Sequence, residues 1–126
     1  MHHAIPDNFL RSDVKKNEQR YLIFATDDQL KRLAKSKIWF LDGTFKIVKD
    51  PFVQLFSIHS FIKSESDHRK QLPLCYVLMS RRKIKDYKIV FNAILSMLPE
   101  VPIVSEAILD FESAMWTDLQ NIFPNV

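Results

Sequence analysis

A chain of 126 residues, 47% hydrophobic and with ten Phe, can bury the core of one domain or of a piece of one. A single Gly, against roughly 7% in average usage, excludes glycine-rich phosphate loops, and a single Cys excludes an internal disulfide framework or a cysteine-cluster zinc site. The net charge of +3 and pI near 9.0 admit a nucleic-acid partner without requiring one, and no run reaches the ~18 apolar residues of a membrane span.

Met1-His2-His3-Ala4 is not followed by an apolar signal-peptide core, so an intracellular soluble protein is expected, with no membrane partner. Residues 1–20 are polar and aperiodic, and the charged run from Ser12 to Arg20 reads as a solvated loop. Tyr21 to Ala25 reads as a short strand. Thr26 then offers an N-cap with Gln29 three residues on, and Leu30, Leu33 and Ala34 form one stripe, which predicts a short amphipathic helix over 27–36. A strand over 38–48 follows and contains the only glycine, Gly43. Lys49-Asp50-Pro51 signals a turn, 52–62 reads as a second strand, Lys63 to Gln71 as a charged loop and 73–79 as a third strand. Short polar links between the three suggest an antiparallel meander. Tyr87, Val90, Phe91, Ile94, Leu95 and Leu98 recur at helical spacing and predict a helix over 85–98, stopped by Pro99 and Pro102. A fourth strand over 103–109 ends at Asp110, and a helix over 112–122 carries Met115, Trp116, Leu119 and Ile122. The order is three strands, helix, strand, helix, an α/β class in which the helix crossover makes the last strand pairing parallel.

Two acids stand out. Asp42 lies in the middle of the 38–48 run, where a buried strand should carry no charge. Asp42-Gly43 between apolar runs is a hairpin signal, which would make Asp42 a turn residue. The alternative is a carboxylate on a continuous central strand, with Gly43 letting a metal or substrate approach the backbone. Asp110 follows a strand and opens a helix, so it reads either as an N-cap or as an acid at the carboxyl end of a strand, where sheet-based sites gather. A meander followed by a parallel strand would bring Asp110 beside Asp42, and two such acids suit divalent cations that clamp the oxygens of a phosphoryl displacement.

Trp39 to Lys46 (WFLDGTFK) resembles the first-acid motif of Mutator-like element (MULE) transposases. Pro51 to His59 resembles the strand that follows it in that family, and Pro73 to Met79 its third strand. Leu109-Asp110-Phe111-Glu112-Ser113-Ala114, with Phe123-Pro124-Asn125 beyond, resembles its second-acid motif. The match runs from about Tyr21 to the C-terminus, so residues 1–20 form a polar segment and 21–126 a partial transposase domain. The resemblance implies a ribonuclease-H-like fold, an acidic DDE triad, magnesium or manganese, a nuclear location, and DNA cleavage followed by strand transfer. It makes Asp42 and Asp110 the first and second metal-binding, catalytic acids. Glu112 matches a family position but is explained as an acid favouring a helix N-terminus. The third acid and a Cys/His segment lie further on in the family. The expectation is therefore an N-terminal part of the catalytic domain, without transposase activity alone. An unfinished sheet would leave an edge open to self-pairing. The alternatives are a non-catalytic DNA- or protein-binding module and a plain structural α/β domain.

Arg81, Arg82, Lys83 and Lys85 form a basic link able to touch phosphates, as is Lys46, although a solvated surface loop is the stronger reading of the link. His59 reads as a half-buried polar residue rather than a ligand, His68 as solvated, Cys75 as a small hydrophobe, and Trp39 and Trp116 as core. Glu65, Asp67 and Asp86 have no assignable place.

Overall fold

The computed structural model describes residues 9–44, 49–63 and 69–109. The chain builds a mixed α/β fold from β1 (Leu10–Lys16), β2 (Gln19–Phe24), α1 (Asp27–Lys35), β3 (Ile38–Thr44), β4 (Gln54–Lys63), β5 (Arg69–Met79), α2 (Ile84–Met97) and β6 (Glu106–Leu109). The six strands form one sheet in the order β1-β2-β5-β4-β3-β6. β3, β4 and β5 make the expected antiparallel meander, and β6 returns through α2 to pair parallel with β3.

The first correction concerns residues 10–20, which are a β-hairpin and not a solvated loop. β1 pairs antiparallel with β2, and β2 with β5. Asn17 and Glu18 both take positive φ, 52° and 67°, as the two central residues of a hairpin turn matched to strand twist require. β1 reads as polar because it is an edge strand. Its alternating charges, among them Asp13 in a two-pronged pair with Arg20, discourage pairing with another chain.

Both helices contribute side chains to one core. Leu30 and Leu33 of α1, with Tyr87, Val90, Phe91 and Ile94 of α2, pack with Tyr21, Ile23, Trp39, Leu41, Phe56, Ile58 and Val77 of the sheet. The α1 capping box forms as predicted: Gln29 N–H donates to Thr26 Oγ1 (3.1 Å) and Thr26 N–H to Gln29 Oε1 (2.8 Å). Trp39 is fully buried and its indole N–H donates to the Leu33 carbonyl at 3.1 Å, tying β3 to the end of α1. Cys75 is buried among apolar groups, which pushes its thiol up to about 12 and leaves it a small hydrophobe, as expected.

Strand bounds move for identifiable reasons. β4 runs to Lys63 and β5 begins at Arg69, so both described ends of the predicted 63–71 loop are ladder, with Lys63 opposite Arg69. β5 accommodates Pro73 at a bulge: Ile58 faces Cys75 but His59 faces Pro73, leaving Leu74 as the extra residue. β6 starts at Glu106 rather than 103. Ile103 N–H donates to the Ala34 carbonyl (3.1 Å) and Ser105 and Glu106 N–H to the Lys37 carbonyl (2.9 and 3.1 Å), so this stretch closes off the end of α1 before it joins β3. The predicted continuation of β3 over 45–48, the 64–68 link with His68, and the predicted helix over 112–122 with Trp116 lie outside the described residues.

Candidate functional site

β3 runs unbroken through Asp42 and Gly43, which pair with Ser57 and Phe56 of β4. The hairpin alternative is overturned: a turn would have left residues 38–41 facing 44–48, whereas both halves of the described strand face β4. Alternation along β3 turns Trp39 and Leu41 into the core and Phe40 and Asp42 outward. The carboxylate thus avoids the cost of burial by standing on the sheet face opposite the core, where it is exposed.

Gly43 belongs to the opposite face, and this corrects its expected role. Its backbone has no positive φ, so it is not required by conformation. A Cβ at this position would lie 2.6 Å from Gln54 Oε1. The close approach that glycine permits is therefore by the buried Gln54 side chain from the core, not by a metal or substrate from outside. Gln54 in turn donates to Tyr87 Oη and Met79 Sδ, each at 3.2 Å.

Asp42 has polar company that the sequence did not single out. Ser57 sits directly across the ladder from it, and Ser57 Oγ lies 2.8 Å from His59 Nε2. Asp42 and His59 line one cavity of about 300 Å³ with Phe40, Leu41, Gln71 and Ile108. Phe40 meets Phe61 edge-on at 5.0 Å, giving the cavity an aromatic flank. His59 is half-buried, as expected from the sequence. Burial lowers its pKa below the ordinary histidine value, against the Asp42 carboxylate, which raises it. Asp42→Asn should therefore move the His59 titration to still lower pH, measured on the ring signals by NMR. A titration that stays put or rises would show that the two side chains are not electrostatic neighbours.

β6 runs parallel to β3 with Phe40 opposite Ile108 and Leu41 opposite Leu109. Asp110, the next residue in the sequence, lies outside the described residues, as do Glu112 and Lys46.

The basic link divides. Arg81 Nε donates to Asp86 Oδ2 at 2.9 Å, so this partly exposed guanidinium is tied to a buried carboxylate. Arg82, Lys83, Lys85 and Lys88 are exposed around Ile84, itself 41% exposed, at the start of α2. Asp86, which the sequence left unplaced, is buried at the first turn of α2 and takes no part in the cavity around Asp42.

Among the described residues no three His, Cys, Asp or Glu side chains gather to hold a metal ion. One exposed carboxylate beside a cavity still suits magnesium, which keeps several waters and is bound through one or two carboxylates. No helix among the described residues is long and apolar enough to cross a membrane. Comparison with family models, curated proteins and solved structures finds no match to this chain.

Proposed function

We propose that the chain carries the first part of a MULE-transposase-like catalytic domain, with a ribonuclease-H-like sheet, and that Asp42 is its first metal-binding acid. The observation that carries the reading is the position of Asp42. It lies on an uninterrupted inner strand, stands exposed on the face opposite the core, and lines a cavity beside a parallel strand whose last residue, Leu109, precedes Asp110 in sequence. The meander, the helical crossover and the parallel return strand support the same reading.

In this reading Asp42 and Asp110 hold magnesium or manganese, and DNA is the partner. A bound divalent ion supplies Lewis-acid stabilisation to a phosphodiester under attack. The protein's own part is to present the Asp42 carboxylate from a strand fixed on both sides by β4 and β6. Arg82 and Lys83, with Lys85 and Lys88, offer cations to the DNA backbone, and Lys46 is proposed for the same role. The function proposed for these residues is metal and DNA binding, in a nuclear setting.

The test is a magnesium and manganese titration of the full chain followed by NMR, with Asp42→Asn and Asp110→Asn as controls. Saturable binding in the parent, lost in both variants while their metal-free spectra stay native, is the expected result. A folded parent that binds neither ion would leave Asp42 an exposed strand residue and overturn the reading.

A further inference from the structure

We propose that His59 is a metal-ligating partner of Asp42, the two forming a divalent-cation site on the sheet face opposite the core that takes zinc or cobalt ahead of magnesium. The inference rests on the reading that Asp42 binds metal and adds a residue and an ion preference to it.

The geometry comes from the ladder. Asp42 pairs with Ser57, and His59 is two residues along β4 opposite Phe40. Asp42 and His59 are thus diagonal neighbours on one face. Such pairs have their Cβ atoms within roughly 7–8 Å, close enough for two side chains of this length to share a ligand. Both side chains line the same cavity of about 300 Å³, which has room for an ion with its waters. Among the described residues Leu41, Gln71, Phe40 and Ile108 also line it, and none of these four is charged.

Ser57 gives the His59 ring a hydrogen bond able to orient it for ligation. Ligating imidazoles are typically oriented by a hydrogen bond at the nitrogen that does not bind the metal. Ser57 Oγ lies 2.8 Å from His59 Nε2, and in the tautomer with its proton there the ring donates to Ser57 and keeps Nδ1 as its lone-pair nitrogen. Ser57 is also the residue facing Asp42, so one hydroxyl fixes the ring beside the carboxylate it would join. The ion preference follows from ligand type. Carboxylate and water suit magnesium, whereas an imidazole added to the set favours later first-row ions.

The test uses the full chain with zinc alone and magnesium alone as probes. The ring-nitrogen signals of His59 are followed by NMR in the parent, and affinities are measured in His59→Gln, Ser57→Ala and Asp42→Asn. The expected result is a saturable zinc response at the His59 ring and zinc binding weakened about tenfold or more in His59→Gln, with magnesium binding changed less than about twofold. Ser57→Ala should weaken zinc while leaving magnesium alone. Zinc that binds the parent and His59→Gln equally, or never perturbs the His59 ring, overturns the proposal. If Asp42→Asn then still removes magnesium binding, the reading of Asp42 stands without His59. If neither ion binds the parent, both fall.

Discussion

Asp86→Ala is expected to destabilise the fold by about 3 kcal/mol and to lower its melting temperature by roughly 10 °C. Asp86 is fully buried and receives three donors. Tyr21 Oη donates to Oδ1, while Arg81 Nε (2.9 Å) and the Lys83 N–H (2.7 Å) donate to Oδ2. One carboxylate thereby joins β2, the link after β5, and the first turn of α2, where its charge also opposes the helix dipole. Alanine leaves the buried Tyr21 hydroxyl and the Lys83 N–H without that acceptor. Arg81 is less affected because it is partly exposed and can turn to water. Asp86→Asn keeps the shape but not the charge, and a smaller loss of about 1–2 kcal/mol is expected.

The pH dependence has a definite sign. Burial would raise the Asp86 pKa, but the hydrogen bonds from Arg81, Tyr21 and Lys83 outweigh it, and the folded value is lowered. A depressed carboxylate pKa stabilises the fold above the unfolded value of about 3.9, and that contribution is lost as pH falls through the folded value. The gap between the parent and Asp86→Asn should therefore be steady near neutrality and close below about pH 4. Urea unfolding across that range measures it. A gap under about 0.5 kcal/mol at pH 7, or one that does not narrow in acid, would show that Asp86 is not the tie described.

Much of the fold was legible because periodicity and burial agree. The α2 stripe of Tyr87, Val90, Phe91 and Ile94 and the α1 capping box both form as read. The meander and parallel return strand followed from element order alone. β1 was not legible because an edge strand carries charges where an inner one carries Val or Ile, and because Glu18 is an unusual residue at positive φ. Asn17 was the one available signal. Asp86 was missed although it lies four residues before Val90, on the buried stripe. The N-cap three residues earlier is Lys83, so the pattern did not look like a capping box. In the site, the hairpin and strand readings of Asp42 used the same residues, and only the pairing with β4 separates them. Ser57 and His59 alternate correctly for one face of β4, but nothing local sets which residue of β3 each meets. That register depends on the whole ladder and on a bulge two strands away.

Gly43→Ala is expected to destabilise the fold by about 1–3 kcal/mol, and Gly43→Val by more, despite the better strand propensity of both replacements. The backbone at Gly43 is an ordinary strand, so alanine meets no conformational barrier there. The cost is space: the new Cβ would come within 2.6 Å of Gln54 Oε1. The end of a glutamine usually swings aside, but this one is buried, with its amide nitrogen held by Tyr87 Oη and Met79 Sδ. Moving it takes a buried amide away from its hydrogen bonds in a packed core, and the alternative is to shift β3 itself. A double-mutant cycle isolates the contact. Gln54→Ala alone should be destabilising, since it leaves a cavity in the core, but in its background Gly43→Ala should become nearly neutral or stabilising. Chemical denaturation of the four proteins provides the coupling energy. If Gly43→Ala costs the same with and without the Gln54 side chain, the glycine is not there to admit Gln54.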